Sequence, residues 1–83
     1  MNSGNIEKTL RQNSDVKYYV YYNEWTGEIT STGRSVRKDA SDPYIETTNK
    51  FAKQILHGRV NHRRYMVTYS KAVDDLDVVK KDN

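Results

Sequence analysis

Residues 16–22 of the chain, VKYYVYY, alternate large side chains with the two-residue period of an extended strand. β-branched and aromatic residues dominate the stretch and favour a β-strand. The even-numbered residues on one face would be Val16, Tyr18, Val20 and Tyr22, and the odd-numbered residues on the other would be Lys17, Tyr19 and Tyr21. Both faces of the first strand therefore carry apolar area, which must be covered either by the rest of the chain or by a partner.

A turn after this strand predicts a β-hairpin. In the sequence NEWTG, Asn23 can begin a turn and Gly27 can adopt a positive φ angle. Residues 28–32 then form a second extended run. We expect the two runs to pair as a hairpin that is closed by a bulge at Gly27.

The middle of the chain predicts a loop, a short strand and a helix. Residues 33–43 have the composition of a loop, and residues 44–46 form a short extended segment. Thr47 or Thr48 could cap a helix of about ten residues, and Gly58 is placed to end it. The apolar residues on one face of this helix would be Phe51, Ala52, Ile55 and Leu56.

The C-terminal part predicts a second hairpin. Residues 65–69 alternate as a strand, and Leu76 and Val78 indicate a last strand. The order of elements is then β-hairpin, short strand, one helix, β-hairpin. This order predicts a small α+β fold, in which an antiparallel sheet carries the helix on one face. We expect a polar N-terminal arm over residues 1–14, a single domain over 15–79 and a charged tail over 80–83.

Composition excludes several classes of protein. The 83 residues include no cysteine, so a disulfide framework and a cysteine-ligated zinc site are ruled out. No apolar run approaches the roughly 20 residues that span a bilayer, and the N-terminus lacks the pattern of a signal peptide. We therefore expect a soluble protein that is neither secreted by a signal peptide nor bound to a membrane.

The polar side chains do not form a pattern typical of an enzyme. His57 and His62 have no carboxylate between residues 50 and 71 to complete a metal site. Asp74, Asp75 and Asp77 lack the spacing of a calcium loop and are expected to be a solvated turn. We expect no catalytic residue, no cofactor, no metal ion and no small-molecule substrate.

Aromatic side chains predict a contact surface for another protein. If the even-numbered face of the first strand packs on the helix, then Tyr19, Tyr21 and Trp25 face outward. Tyr and Trp are enriched at the centres of interfaces, because they supply area and a polar tip at low entropic cost. We expect these three residues to bind a protein partner or a second copy of the chain. The alternative is that both faces are internal, the second being covered by the loop and the arm.

A basic stretch offers a different partner. Arg59, Arg63 and Arg64 lie in a segment without acidic residues, although the net charge of the chain is only +3. Beside the outward aromatic residues, this cluster would resemble a stacking platform with a positive groove, as in modules that bind nucleic acid. Nucleic-acid binding through the same aromatic and arginine residues is thus the alternative function.

Two segments, YYVYYNEWTGEI at 18–29 and DPYIETTNKFAKQILHGRVNHRRYMV at 42–67, resemble small proteins of tailed bacteriophages, cyanophages among them. The resemblance covers about residues 16–70 and implies a virion structural or assembly accessory protein without catalysis, which works through protein contacts. It also implies a location in the host cytoplasm or in the virion. No functional residue is carried over, and the polar arm and the RVNHRR stretch depart from the pattern.

Overall fold

Five short strands and one helix follow one another in the predicted order, in a computed structural model that describes residues 16–82. The elements are β1 (Tyr18–Tyr22), β2 (Ile29–Gly33), β3 (Tyr44–Thr47), α1 (Lys50–Leu56), a 3₁₀ turn (His62–Arg64), β4 (Tyr65–Ser70) and β5 (Asp75–Lys80). The predicted α+β class is confirmed. The predicted arm over residues 1–14 lies outside the described residues, and β5 extends one residue into the stretch that was expected to be a tail.

The strands form two antiparallel sheets. One sheet has three strands in the order β2-β1-β3, and the other consists of β4 and β5. An isolated antiparallel bridge between Glu28 and Met66 connects β2 to β4. The irregularity in the β1–β2 pairing leaves Thr30 as the extra residue, since Tyr21 pairs with Ser31 and Tyr22 with Ile29. The predicted bulge at Gly27 is also present. Gly27 has a φ of 79°, its amide donates to the Asn23 carbonyl at 2.7 Å, and the Asn23 amide donates to the Glu28 carbonyl at 2.8 Å, so two residues oppose Asn23.

The core lies between the two sheets and the helix. Its buried side chains come from all three: Tyr18, Val20, Ile29, Ala52, Tyr65, Val67 and Val78. Of the predicted helix face, Ala52 is fully buried, and Phe51, Ile55 and Leu56 pack against the cluster from its edge. The even-numbered face of β1 thus packs on the core, as the alternation predicted.

Asn49, not a threonine, caps α1. Its side-chain oxygen accepts a hydrogen bond from the Phe51 amide at 2.7 Å. Thr47 lies at the end of β3 and donates its hydroxyl to Asp77 at 2.7 Å instead. The helix is seven residues long, shorter than expected, and Gly58 follows its end with a φ of 71°.

Asp77 joins β5 to the helix cap. Besides the Thr47 hydroxyl, its carboxylate accepts a hydrogen bond from the Asn49 side chain at 3.1 Å. The same side chain donates to the carbonyl of Val78 at 3.0 Å. The expectation that Asp77 is solvated is therefore wrong: the residue is buried, and its hydrogen bonds satisfy the carboxylate there.

Candidate contact surfaces at the two ends of the molecule

Hydrogen bonds between side chains and backbone amides of the same loop order the connection between β1 and β2. The side-chain oxygen of Asn23 accepts from the amides of Trp25 and Thr26 at 2.8 and 3.1 Å. The Thr26 hydroxyl oxygen accepts from the Glu28 amide at 3.1 Å. These are the local bonds by which Asn and Thr fix turns. The backbone position of Trp25 is therefore set before any partner binds.

Gly27 attaches this loop to β4. Its carbonyl accepts a hydrogen bond from the Val67 amide at 2.8 Å, and its φ is 79°. A Cβ atom at this position would lie 2.7 Å from the Val67 carbonyl oxygen and 2.9 Å from the Met66 methyl carbon. Only glycine combines this backbone conformation with so close an approach.

Trp25 lies at the tip of the loop, and the residue is 86% exposed. Because β2 and β4 are antiparallel at the Glu28–Met66 bridge, this tip lies at the same end of the molecule as the turn between β4 and β5. Further exposed apolar side chains lie in that turn and on the strands beside it, with exposed fractions of 56% for Tyr69, 52% for Val73 and 43% for Leu76. We call Trp25, Tyr69, Val73 and Leu76 the hairpin end.

The β4–β5 part of the hairpin end is also ordered. Tyr69 pairs directly with Leu76 across the two strands, and its hydroxyl donates to the Asp74 carboxylate at 2.6 Å. This hydrogen bond, with a smaller contribution from desolvation, raises the pKa of Tyr69 above its ordinary value of 10.0. Val73 and Leu76 also line a groove of about 640 Å³, which extends to Phe51 at the start of α1. A partner side chain could be seated there.

Side chains block the addition of a further strand to β5. The Leu76 and Val78 amides donate to the Asp75 and Asp77 carboxylates at 2.7 and 2.8 Å, respectively. The Val78 carbonyl already accepts from Asn49. These three backbone groups are thus already satisfied, which makes the pairing of an added strand at this edge less favourable. Contacts at this end would involve side chains and not strand pairing.

The prediction that Tyr21 belongs to a contact surface is wrong, because this residue is buried. It lies on the odd-numbered face of β1, as expected, but only 1% of it is exposed. The loop after β2 crosses this face: the Arg37 amide donates to the Tyr21 hydroxyl at 2.7 Å, and the Arg37 guanidinium lies 4.8 Å from the ring centre. The Tyr44 ring packs against it at 5.4 Å. Tyr21 is therefore an interior residue of this domain and has no surface for a partner.

Tyr19 occupies an intermediate position. It is half-buried, and its ring meets the Tyr44 ring edge-on at 6.0 Å between centres. It pairs with Gly33 and Glu46, at the end of β1 away from the Trp25 loop. The structure therefore does not bring Tyr19, Tyr21 and Trp25 together into one patch.

The basic residues lie at the other end of β4. Arg63 and Arg64 belong to the 3₁₀ turn that leads into β4, and the Asn61 side chain caps this turn by accepting from the Arg63 amide at 2.9 Å. Arg59 follows the end of α1, and all three arginines are exposed. Since β4 separates them from the hairpin end, the predicted combination of stacking tryptophan and adjacent arginines is not present in this geometry.

Sequence reasoning missed Tyr69, Val73 and Leu76. The alternation of Tyr65, Val67 and Tyr69 predicts one strand face, but only Tyr65 and Val67 are buried, because the strand extends beyond the core that covers it. The charged residues Lys71 and Asp74, at the two ends of the turn itself, were the available signal that this part of the chain is exposed. A strand face that continues into a charged turn is expected to leave the core near its end.

Neither a metal-binding cluster nor a membrane-spanning helix is found in residues 16–82. Within this range, no group of three or more His, Cys, Asp or Glu side chains is placed to hold a metal ion. No helix in the same range has the length and apolar character needed to cross a lipid bilayer.

Comparison with known proteins gives no relative: no family model, no curated protein sequence and no solved structure matches this chain.

Proposed function

We propose that this protein is a non-enzymatic structural or assembly accessory protein of the kind found in tailed-phage virions, and that it acts by docking its hairpin end on other proteins, including further copies of itself. The observation that carries the proposal is Trp25, which is 86% exposed at the tip of an ordered loop. The resemblance of residues 16–70 to small phage proteins supports its place in virion assembly.

Exposure of this tryptophan favours protein contact on energetic grounds. An aromatic side chain of this size buries roughly 150–250 Å² when it is covered. The hydrogen bonds of Asn23 and Thr26 already fix the loop, so little conformational entropy remains to be lost on docking. Tyr69, Val73 and Leu76 add apolar area at the same end. Tryptophan and tyrosine are also the residues that most often dominate binding energy at an interface.

The test uses the fact that the chain has a single tryptophan. Its fluorescence reports directly on the hairpin end, because an indole that leaves water shifts its emission to shorter wavelength. We expect this shift to rise with protein concentration, together with the mass measured by sedimentation velocity. Trp25→Ala should abolish the increase in mass. Val36→Ala, which truncates an exposed apolar residue outside the four that define the hairpin end, should leave it unchanged.

A chain that stays monomeric is tested for docking on a different protein. Wild-type, Trp25→Ala and Val36→Ala chains are immobilised and exposed to the same cell extract. A protein retained by the wild type and by Val36→Ala but not by Trp25→Ala would support the proposal. Monomeric behaviour together with identical retention by all three chains would contradict it.

A further inference from the structure

The segment from Lys50 to Arg64 carries five lysine and arginine residues, two histidines and no acidic residue. Elsewhere in the described part of the chain, the ion pairs join Lys17 to Glu46 and Lys81 to Glu28. None of the five cations of the segment takes part in an ion pair within residues 16–82. Their charges are therefore available to a ligand, and this availability does not depend on the proposed function of the hairpin end.

The backbone gathers these charges at one end of the molecule. The chain reverses after α1 at Gly58, and the Arg59 amide donates to the Gln54 carbonyl at 2.9 Å. This bond holds Arg59 against the helix. The helix and the reversal enclose a concavity of about 500 Å³, whose lining residues are Lys50, Lys53, Gln54, His57 and Arg59. The 3₁₀ turn with Arg63 and Arg64 follows directly.

We propose that this basic segment binds the phosphate backbone of double-stranded nucleic acid without reading its sequence. Cations without acidic partners suit phosphates, whose neutralisation releases condensed counterions. No large aromatic side chain is exposed within residues 50–64, and Trp25 lies at the other end of β4. Base stacking on an exposed Phe, Tyr or Trp, which supports binding to single strands, is therefore missing from this segment. A duplex offers one charge per about 1.7 Å of its axis and so favours a surface that binds through charge alone.

The experiment measures the fluorescence anisotropy of a labelled duplex of about 20 base pairs titrated with the full chain at several salt concentrations. If four phosphates are contacted, affinity should fall about 10²-fold between about 50 and 200 mM salt. Arg63→Ala combined with Arg64→Ala should reduce the slope of log affinity against log salt by nearly two. The same single strand without its complement should bind more weakly than the duplex.

Matched controls separate a local site from general charge. Lys38→Ala combined with Lys71→Ala also removes two positive charges, but from exposed positions outside the segment, and should leave the slope unchanged. Trp25→Ala should also leave duplex binding unchanged, so a failure here is distinguishable from a failure at the hairpin end. Circular dichroism checks that each variant is folded. An equal loss in both double variants, tighter binding to the single strand, or equally strong competition by polyglutamate would overturn the proposal.

Discussion

Tyr21 and Trp25 are four positions apart in one hairpin, and the structure gives them opposite environments. The first is 1% exposed beneath the loop that follows β2, and the second is 86% exposed at the hairpin end. Both are aromatic and both were expected to contact a partner. The difference shows that the two-residue period of a strand determines on which face a side chain lies. Whether that face is exposed to solvent depends on other parts of the chain, such as the loop that crosses it. We call the face of Tyr21 the covered face.

The largest expected effect comes from truncating Tyr21, and the truncation of Trp25 in a separate variant provides the comparison. Tyr21→Ala should lower the free energy of unfolding by about 3–5 kcal/mol, because it empties a fully buried site. This loss is comparable with the whole stability of a domain of this size. Trp25→Ala should change the same quantity by less than about 0.5 kcal/mol, as is usual for exposed positions. Urea denaturation followed by circular dichroism measures both.

Each of these two variants has an outcome that would contradict the assigned environment of its residue. If Trp25→Ala destabilises the monomer as much as Tyr21→Ala does, then the tryptophan supports the fold and the hairpin end is not a docking surface. If Tyr21→Ala is harmless, then the loop does not cover this face in solution. Since self-association would stabilise the wild type, the measurements belong at a concentration where the chain is monomeric.

A second pair of variants tests how the hairpin end is attached to the rest of the domain. Gly27→Ala should cost about 2–4 kcal/mol, since it combines a positive φ with a clash against the Val67 carbonyl. Gly58→Ala has a similar φ of 71° but no atom within 4 Å of the added Cβ, so it should cost only about 1 kcal/mol. Thermal unfolding of the two variants gives the comparison.

Equal losses in the two glycine variants would show that backbone conformation alone matters at Gly27. The close approach to β4 would then not hold the loop. A larger loss for Gly27→Ala indicates instead that contact with β4 positions the Trp25 loop, which the proposed docking requires.

Much of the fold followed from local patterns in the sequence. The alternation in residues 16–22, the NEWTG turn and Gly58 predicted β1, the first hairpin and the end of α1, because these depend on neighbouring residues. The cap of α1 was missed for a non-local reason. The Thr47 hydroxyl bonds to Asp77, 30 positions away, so Asn49 takes the role that a threonine was expected to have.

The candidate site was harder to predict, because burial depends on long-range contacts. Nothing in residues 18–22 indicates that Arg37 and Tyr44 will cover Tyr21. By contrast, the exposure of Trp25 and the three arginines was anticipated, since turns and charged segments usually lie on the surface. The separation of tryptophan and arginines to opposite ends of β4 could not be read from the sequence, since it depends on the pairing of β2 with β4.

A smaller effect tests what closes the covered face. Tyr21→Phe keeps the ring and removes the hydroxyl that accepts from the Arg37 amide at 2.7 Å. We expect a loss of about 1 kcal/mol, because this amide loses its partner. Hydrogen exchange of the Arg37 amide should become faster in Tyr21→Phe, while exchange in β4 should not change. Unchanged protection at Arg37 would show that this bond does not hold the loop in place.

The smallest effect concerns order at the hairpin end and depends on pH. The Asp74 carboxylate raises the pKa of Tyr69 in the folded chain above the ordinary value of 10.0. A group with a raised folded pKa contributes stability that is complete below about pH 10 and is lost as pH rises through the folded value. We expect the hairpin end to loosen only in that alkaline range.

Asp74→Asn provides the sharpest version of this test. Asparagine tolerates the φ of 55° at this turn position and still offers an oxygen to the Tyr69 hydroxyl, so the turn should be kept. Without the carboxylate charge, the pKa of Tyr69 should fall back toward its ordinary value, which NMR of the ring carbons can follow. An identical titration in wild type and Asp74→Asn would mean that the hydroxyl and the carboxylate are not in contact in solution. The β4–β5 turn would then be less ordered than the Trp25 loop, and Trp25 would be the fixed centre of the hairpin end.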